Sequence, residues 1–368
     1  MPNTKLMVTL WPSFPHFPRF AEDGRLSGIR LNSAKIEAVD LDRELALLRK
    51  LPVSVPLYFD IKGRQLRITH VYPNSNYLDM VINHPISVIT PTPVLFKAGA
   101  DHALLEKVVE GGRRLIFRGG PQFTVEAGDS FHIRHPSLQI FGQQFVNSEL
   151  EKIAKVREFG FKRYFLSYVQ SKRDVDEFLE LVGRDCQIML KIEDKKGLNY
   201  VAKEFVKQPN LTLVVARGDM YVEIDKPHEI LGAQRFMLEK DPEALVGSRI
   251  LLSVVDIPRL VLEDFLKALD ARKINPGKAG DILFSILGAT VPSCADFSEL
   301  AWLHSIGYRN FMLCDELCLK EELLSSAINA FESWKLAYAK GSEIPIIKPM
   351  APSKSRGFFR QLGLFKNS

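Results

Sequence analysis

The sequence predicts an α/β protein, a (β/α)8 barrel carrying a small β-rich insertion after its third strand, and three observations lead there. Two short apolar runs, Ile188 to Leu190 and Leu211 to Ala216, each end in charges: Lys191, Glu193 and Asp194 after the first, Arg217, Gly218 and Asp219 after the second. Between them Leu198, Val201, Ala202 and Phe205 recur at helical spacing, the pattern of a helix joining two parallel strands. A chain of 368 residues with 46% hydrophobic content can bury a large core, and a barrel of about 250 residues leaves room for a smaller unit. From Ile68 to Gln144, finally, helical periodicity gives way to short β-rich runs between Pro, Gly and Asn turns.

Taken in order, Lys5 to Leu10 reads as the first strand, a proline-broken connection runs through Phe20, and Gly28 to Asn32 is the second strand. Glu37 to Lys50 carries a Leu41, Leu45, Leu48 stripe and reads as a helix before a third strand that begins at Val55. The insertion contains LDMVI, ISVIT, RRLIF, QFTVE, FHIRH and LQIFG as candidate strands, with Ala103 to Val109 as its helix-like exception. The barrel resumes with a helix at Ser148 to Gly160, a strand at Arg163 to Val169, a helix at Ser171 to Gly183, the two central runs, and a helix at Pro227 to Leu245. Two segments compete for the seventh strand, SRILLSVV from Ser248 and DILFSILGAT from Asp281 to Thr290; the first is preferred, with Ile257 to Gly280 as added helical material. Phe311 to Glu316 reads as the last strand and Leu323 to Tyr338 as a closing helix. The expected domains are a barrel of residues 1–67 and 145–338, an insertion of 68–144, and a basic, disordered tail at 339–368.

A net charge of +5 with both signs interspersed argues against a nucleic-acid surface and tolerates anionic substrates. No run approaches the roughly 18 apolar residues of a membrane span. Four prolines break Pro2 to Pro18, so no signal peptide is expected. Cys186, Cys294, Cys314 and Cys318 lack paired metal-site spacing and suit reduced thiols in a cytoplasmic protein.

Glu193 and Asp219, at neighbouring strand ends, offer the hard oxygens that one magnesium or manganese ion takes. Lys191 would stand beside that cation as a fixed positive charge for an anion or a developing oxyanion. Read singly, these residues suit an ion-pair ring closing the barrel equally well; as a set they suit a site, because buried ionisable groups are costly. Asp60 with Lys62, read alone, could equally be a surface turn pair.

The segments LKIE at Leu190 to Glu193 and VARGDMYVEI at Val215 to Ile224 resemble the pyruvate kinase family. The resemblance implies that Glu193 and Asp219 bind the magnesium that holds phosphoenolpyruvate, and that Lys191 stabilises the transferring phosphoryl group and the enolate. GIRLN resembles the family's RMNFS, which puts phosphate contact on Arg30 and further binding on Asn32; VPLYFDIKGRQLR resembles LDTKGPEIR, which carries over Asp60, Lys62, Gly63 and Arg67. Gly218 falls within the substrate-binding turn. Ala34 and Ile61 replace a serine and a threonine of the family's potassium site, so no potassium requirement is expected. Tyr221 stands where the family has glycine. Ser253, or alternatively Thr290, would be the hydroxyl associated with enolate protonation, and Glu316 matches a glutamate of MLSGET. The likeness runs from Lys5 to Trp334 in outline and implies a barrel with a lid-like insertion, a nucleoside diphosphate as second substrate and a possible homo-oligomer. No effector domain, and hence no allosteric control of that type, is expected. The implied reaction is phosphoryl transfer between phosphoenolpyruvate and ADP. Two alternatives stay open: a magnesium-dependent oxo-acid lyase, decarboxylase or aldolase working through a pyruvate enolate, and a non-catalytic barrel that binds a phosphometabolite.

Overall fold

The computed structural model describes residues 4–36, 38–73, 77–255, 265–267, 269–270, 275–280 and 291–338. Strands β1 (Lys5–Thr9), β2 (Leu26–Asn32) and β3 (Leu57–Ile61) pair in parallel, and the chain then leaves the barrel. It returns through the helix Asn147–Phe159, which packs on the helix Ala38–Leu48, and the strands numbered β12 to β16 complete the circle. These are Arg163–Leu166, Gln187–Ile192, Leu211–Ala216, Leu245–Gly247 and Asn310–Met312, and β16 closes on β1. The intervening β4 to β11 are Ile68–Val71, Asp79–Ile82, Ile86–Ser87, Thr92–Phe96, Asp101–Val109, Arg114–Arg118, Phe131–His132 and Gln139–Ile140. Six of them form one antiparallel sheet in the order β10-β7-β8-β9-β5-β4, over a core that includes Met80, Phe96, Phe117 and Phe131.

Alternation along each barrel strand decides what faces inward. Met7, Tyr58, Phe165, Val214, Leu245 and Met312 form one apolar layer inside the barrel, with Met189 against it. Gly28 completes this layer as glycine because a Cβ there would lie 2.6 Å from Met7 Cε and 2.9 Å from the Tyr58 ring. Two residues further along the same strands come Thr9, Arg30, Asp60, Ser167 and Lys191, all buried. The polar layer at the carboxyl mouth is therefore a direct consequence of strand periodicity. Outward residues such as Ile188, Leu190, Leu213 and Val215 join the main core beneath the helices.

Several expected elements differ. Ala103 to Val109 is part of the strand Asp101–Val109, not a helix: Ala103 and Leu105 are buried on one face of the sheet, and propensity for helix yields to that pairing. QFTVE forms no strand. The seventh strand is Leu245–Gly247, three residues that start at the last residue of the stretch read as a helix, and that helix stops at Lys240. SRILLSVV is instead an irregular turn ending in the 3-10 helix Leu252–Val254, since Ser248, Arg249 and Leu251 adopt φ of 65°, 60° and 54°. The last strand ends at Met312, and Glu316 lies on the short helix Asp315–Cys318. Asp281 to Thr290, most of Ile257 to Gly280 and the 339–368 tail lie outside the described residues. No helix among the described residues is long and apolar enough to cross a membrane.

Candidate active site

At the carboxyl mouth the charged residues meet one another. Asp60, with no exposed surface, receives Arg30 Nε at 2.7 Å and Nη2 at 2.5 Å, Lys62 Nζ at 2.9 Å and the Ser167 hydroxyl at 3.1 Å. Burial opposes its charge, yet Lys191, Lys62 and Arg30 outweigh burial and hold its carboxyl far below the usual carboxylate range. Lys62 fares differently: burial dominates, Asp60 offsets it in part, and its pKa is pulled down to about 7. Asp60 and Lys62 are thus a buried pair rather than a surface turn.

Lys191 Nζ lies 2.7 Å from Glu193 Oε1, 3.0 Å from Ser167 Oγ and 3.6 Å from Asp60. Burial works against its charge, but Asp60 and Glu193 outweigh burial and raise its pKa. For Glu193 burial prevails and the pKa is raised in spite of Lys191. Its Oε2 accepts the Tyr168 N–H at 2.9 Å, while Oε1 pairs with the Lys191 ammonium at 2.7 Å. Tyr168 reaches it from φ 53°, an uncommon conformation for a bulky side chain.

Asp219 lies in the helix Arg217–Glu223, which begins directly after β14 with Ala216 as its N-cap, and its side chain is 27% exposed. The insertion reaches it. His132 on β10 puts Nε2 3.5 Å from Asp219 and Nδ1 2.6 Å from Glu223, with the Tyr168 hydroxyl 3.3 Å away. Burial opposes a charged His132, but the two carboxylates push its pKa up to about 9. Against burial, His132 and then Lys191 hold Asp219 down to about 2.

A cavity of about 560 Å³ opens over this layer, lined by Arg30, Asn32, Lys62, Arg67, Lys191 and Asp219 among others, with Gly218 at its wall. Arg67 bonds to Gly128 O and Gln65 Oε1 at the root of the insertion. A second cavity of about 470 Å³ at the amino-terminal mouth, near Met7, Tyr58 and Met189, has no comparable cluster of charges. Arg30, Asn32, Asp60, Lys62, Arg67, Lys191, Glu193, Gly218 and Asp219 therefore meet at one mouth, either in the ion-pair network or on the cavity wall, and Glu316 lines the same cavity. Ser253 is the exception. Its hydroxyl bonds to Asp296 and accepts the Ser293 N–H at 2.9 Å, which ties it to the capping box of the helix Cys294–Ile306. Asp194 is also structural, as the N-cap of Lys195–Lys203.

Sequence reasoning missed His132, Ser167, Tyr168 and Asp315. Ser167 had a usable signal, since it follows inward Phe165 by two residues. The others arrive from turns or from the insertion, where spacing carries no message.

No protein-family model matches the chain. A pyruvate kinase of Thermoplasma acidophilum is 28% identical over 290 residues, which cover 69% of this chain and 49% of that protein. One from Methanocaldococcus jannaschii is 27% identical over 241 residues, 61% of this chain and 51% of that protein. One from Dictyostelium discoideum is 23% identical over 318 residues, 78% of this chain and 59% of that protein. The chain spans about half the length of the curated relatives it matches. Over most of its length, then, this closed parallel barrel is similar in sequence to several pyruvate kinases, at 23 to 28% identity.

Proposed function

We propose that the chain is a pyruvate kinase-like phosphotransferase, moving a phosphoryl group between phosphoenolpyruvate and a nucleoside diphosphate with magnesium or manganese. The observation that carries this reading is Lys191, a buried ammonium held between Asp60 and Glu193 beside Arg30 at the mouth of the cavity. Phosphoryl transfer asks chiefly for positioning and for neutralisation of spread negative charge, and preorganised cations supply both. Arg30, oriented by Asp60, is assigned to bind the substrate's anionic group, with Asn32, Lys62 and Arg67 around it. Lys191 faces the charge that develops at the transferring group. The insertion, anchored by His132 to Asp219 and Glu223, excludes water.

Glu193 and Asp219 fit a hard divalent cation: both supply carboxylate oxygens at neighbouring strand ends, one buried beside the Lys191 ammonium and the other turned to the cavity. When bound, the cation supplies further neutralisation of the substrate oxygens. His132 and the cation then compete for Asp219. Asp60 is already compensated by Arg30 and Lys62, and Ala34 and Ile61 bring no side-chain oxygen, which supports a potassium-independent site. Ser253 is not assigned a catalytic role, because its hydroxyl serves Asp296.

A second reading, an enolate-forming oxo-acid lyase or decarboxylase, draws on the same residues. One observation favours it: Asp315 and Glu316 line the cavity near Arg30, where a phosphoryl group has to sit. The test is a coupled assay of pyruvate release from phosphoenolpyruvate, with magnesium or manganese and a panel of nucleoside diphosphates. Diphosphate-dependent release supports the kinase; its absence with every diphosphate refutes it.

A further inference from the structure

Arg30 is the anion-binding arginine of the proposed reaction, and most of its fork is already engaged inside the protein. Nε and Nη2 lie 2.7 and 2.5 Å from Asp60 Oδ2. Nη1 donates to Thr9 Oγ1 and to Asp315 Oδ1, each at 3.3 Å. The second oxygen of Asp315 accepts from Asn32 Nδ2 at 2.7 Å. One carboxylate thus caps the donors that both β2 residues present to the cavity. Unlike Asp60, Asp315 is 45% exposed, and it stands at the start of the short helix after β16. A side chain so placed exchanges rotamers rapidly and can withdraw without unfolding anything.

We propose that Asp315 determines specificity: it is an internal anion that occupies the Arg30–Asn32 subsite, and an incoming anionic group must displace it. A phosphoryl dianion is disfavoured twice, first by the hydrogen bonds it must replace and then by a carboxylate that stays close. A carboxylate or neutral group at the same place meets less repulsion. The inference rests on the phosphotransferase reading only in taking Arg30 as ligand-facing.

The test uses the full chain and the variants Asp315→Asn and Asp315→Gly, titrated calorimetrically with inorganic phosphate, phosphoenolpyruvate and pyruvate. Loss of a like charge at contact distance should tighten phosphate and phosphoenolpyruvate about tenfold and pyruvate by less than about threefold. The control Asp42→Asn removes one charge from the exposed Asp42–Lys155 pair and should leave all three affinities unchanged. Unchanged phosphate affinity in both Asp315 variants, or an equal gain in the Asp42 control, overturns the proposal. Tighter phosphate binding with no pyruvate formed by any variant upholds the role of Asp315 and removes the kinase reading. Diphosphate-dependent turnover with the same phosphoenolpyruvate affinity in the Asp315 variants keeps the kinase reading and overturns this one.

Discussion

Replacing Asp60 by Asn keeps the shape of a fully buried side chain and removes its charge from among three cations, Arg30 at 2.5 Å, Lys62 at 2.9 Å and Lys191 at 3.6 Å. A unit pair at about 4 Å is worth about 4 kcal/mol at an effective dielectric near 20, so the gross attraction lost is comparable with the whole stability of a domain. Relaxation recovers much of it. Arg30 keeps Asp315, Lys191 keeps Glu193, and Lys62, with its pKa already near 7, gives up its proton. The net loss should then be that of a broken buried pair, about 3 to 5 kcal/mol. Urea unfolding followed by circular dichroism at neutral pH measures it. Lys62→Met in the Asp60→Asn background should restore part of the loss, because it replaces a buried amine that has lost its Asp60 partner with an apolar side chain. A loss under about 1 kcal/mol, the size of an exposed ion pair, would refute the reasoning, as would strict additivity of the two changes.

The Lys62 pKa of about 7 lies below that of an unfolded lysine, so between about 7 and 10.5 the unfolded chain binds the extra proton and stability should rise with pH. Subtracting the urea midpoints of Lys62→Met from those of the wild type isolates this rise; parallel profiles would contradict it. The depressed Asp60 carboxyl acts in the same direction at lower pH, contributing fully above the ordinary carboxylate range and losing its contribution as the pH falls through it, and Asp60→Asn should flatten that acid limb. Magnesium or manganese should raise the melting temperature of the wild type, and Glu193→Gln or Asp219→Asn should remove most of the shift; equal shifts in all three proteins would dismiss the pair as ligands. Exchanging potassium for sodium or a bulky organic cation at constant ionic strength should change turnover little, and a strong potassium requirement would mean that other residues build such a site.

The carboxyl-mouth layer was legible because it obeys a period of two. Met189 to Lys191, Tyr58 to Asp60 and Gly28 to Arg30 each step from the apolar layer of the barrel to the charged one. The seventh strand was not legible: only three residues pair, and the longer apolar run behind Ser248 is broken by backbone conformations that composition does not announce. Ser253, expected on that strand, lies instead in the 3-10 helix Leu252–Val254 and bonds to Asp296. Ala103 to Val109 shows the ambiguity of short apolar runs, in which Leu104 and Leu105 fit either period until a partner strand chooses. His132 touches residues about ninety positions away, and Asp315 meets Arg30 across the closure of the barrel. Contacts of that range depend on how the insertion and the last strand return, which local patterns do not encode.

Lys191 tests the central claim most directly. One preorganised contact to a developing negative charge is typically worth about 2.7 to 4 kcal/mol, or roughly a hundred- to a thousandfold in rate. With circular dichroism confirming the fold, Lys191→Met should abolish pyruvate and ATP formation from phosphoenolpyruvate and ADP, while exchange of the pyruvate methyl protons, followed by NMR, survives in part. Wild-type protein that exchanges those protons or decarboxylates oxaloacetate, yet makes no triphosphate from any nucleoside diphosphate, would contradict the kinase reading and leave the enolate lyase in its place.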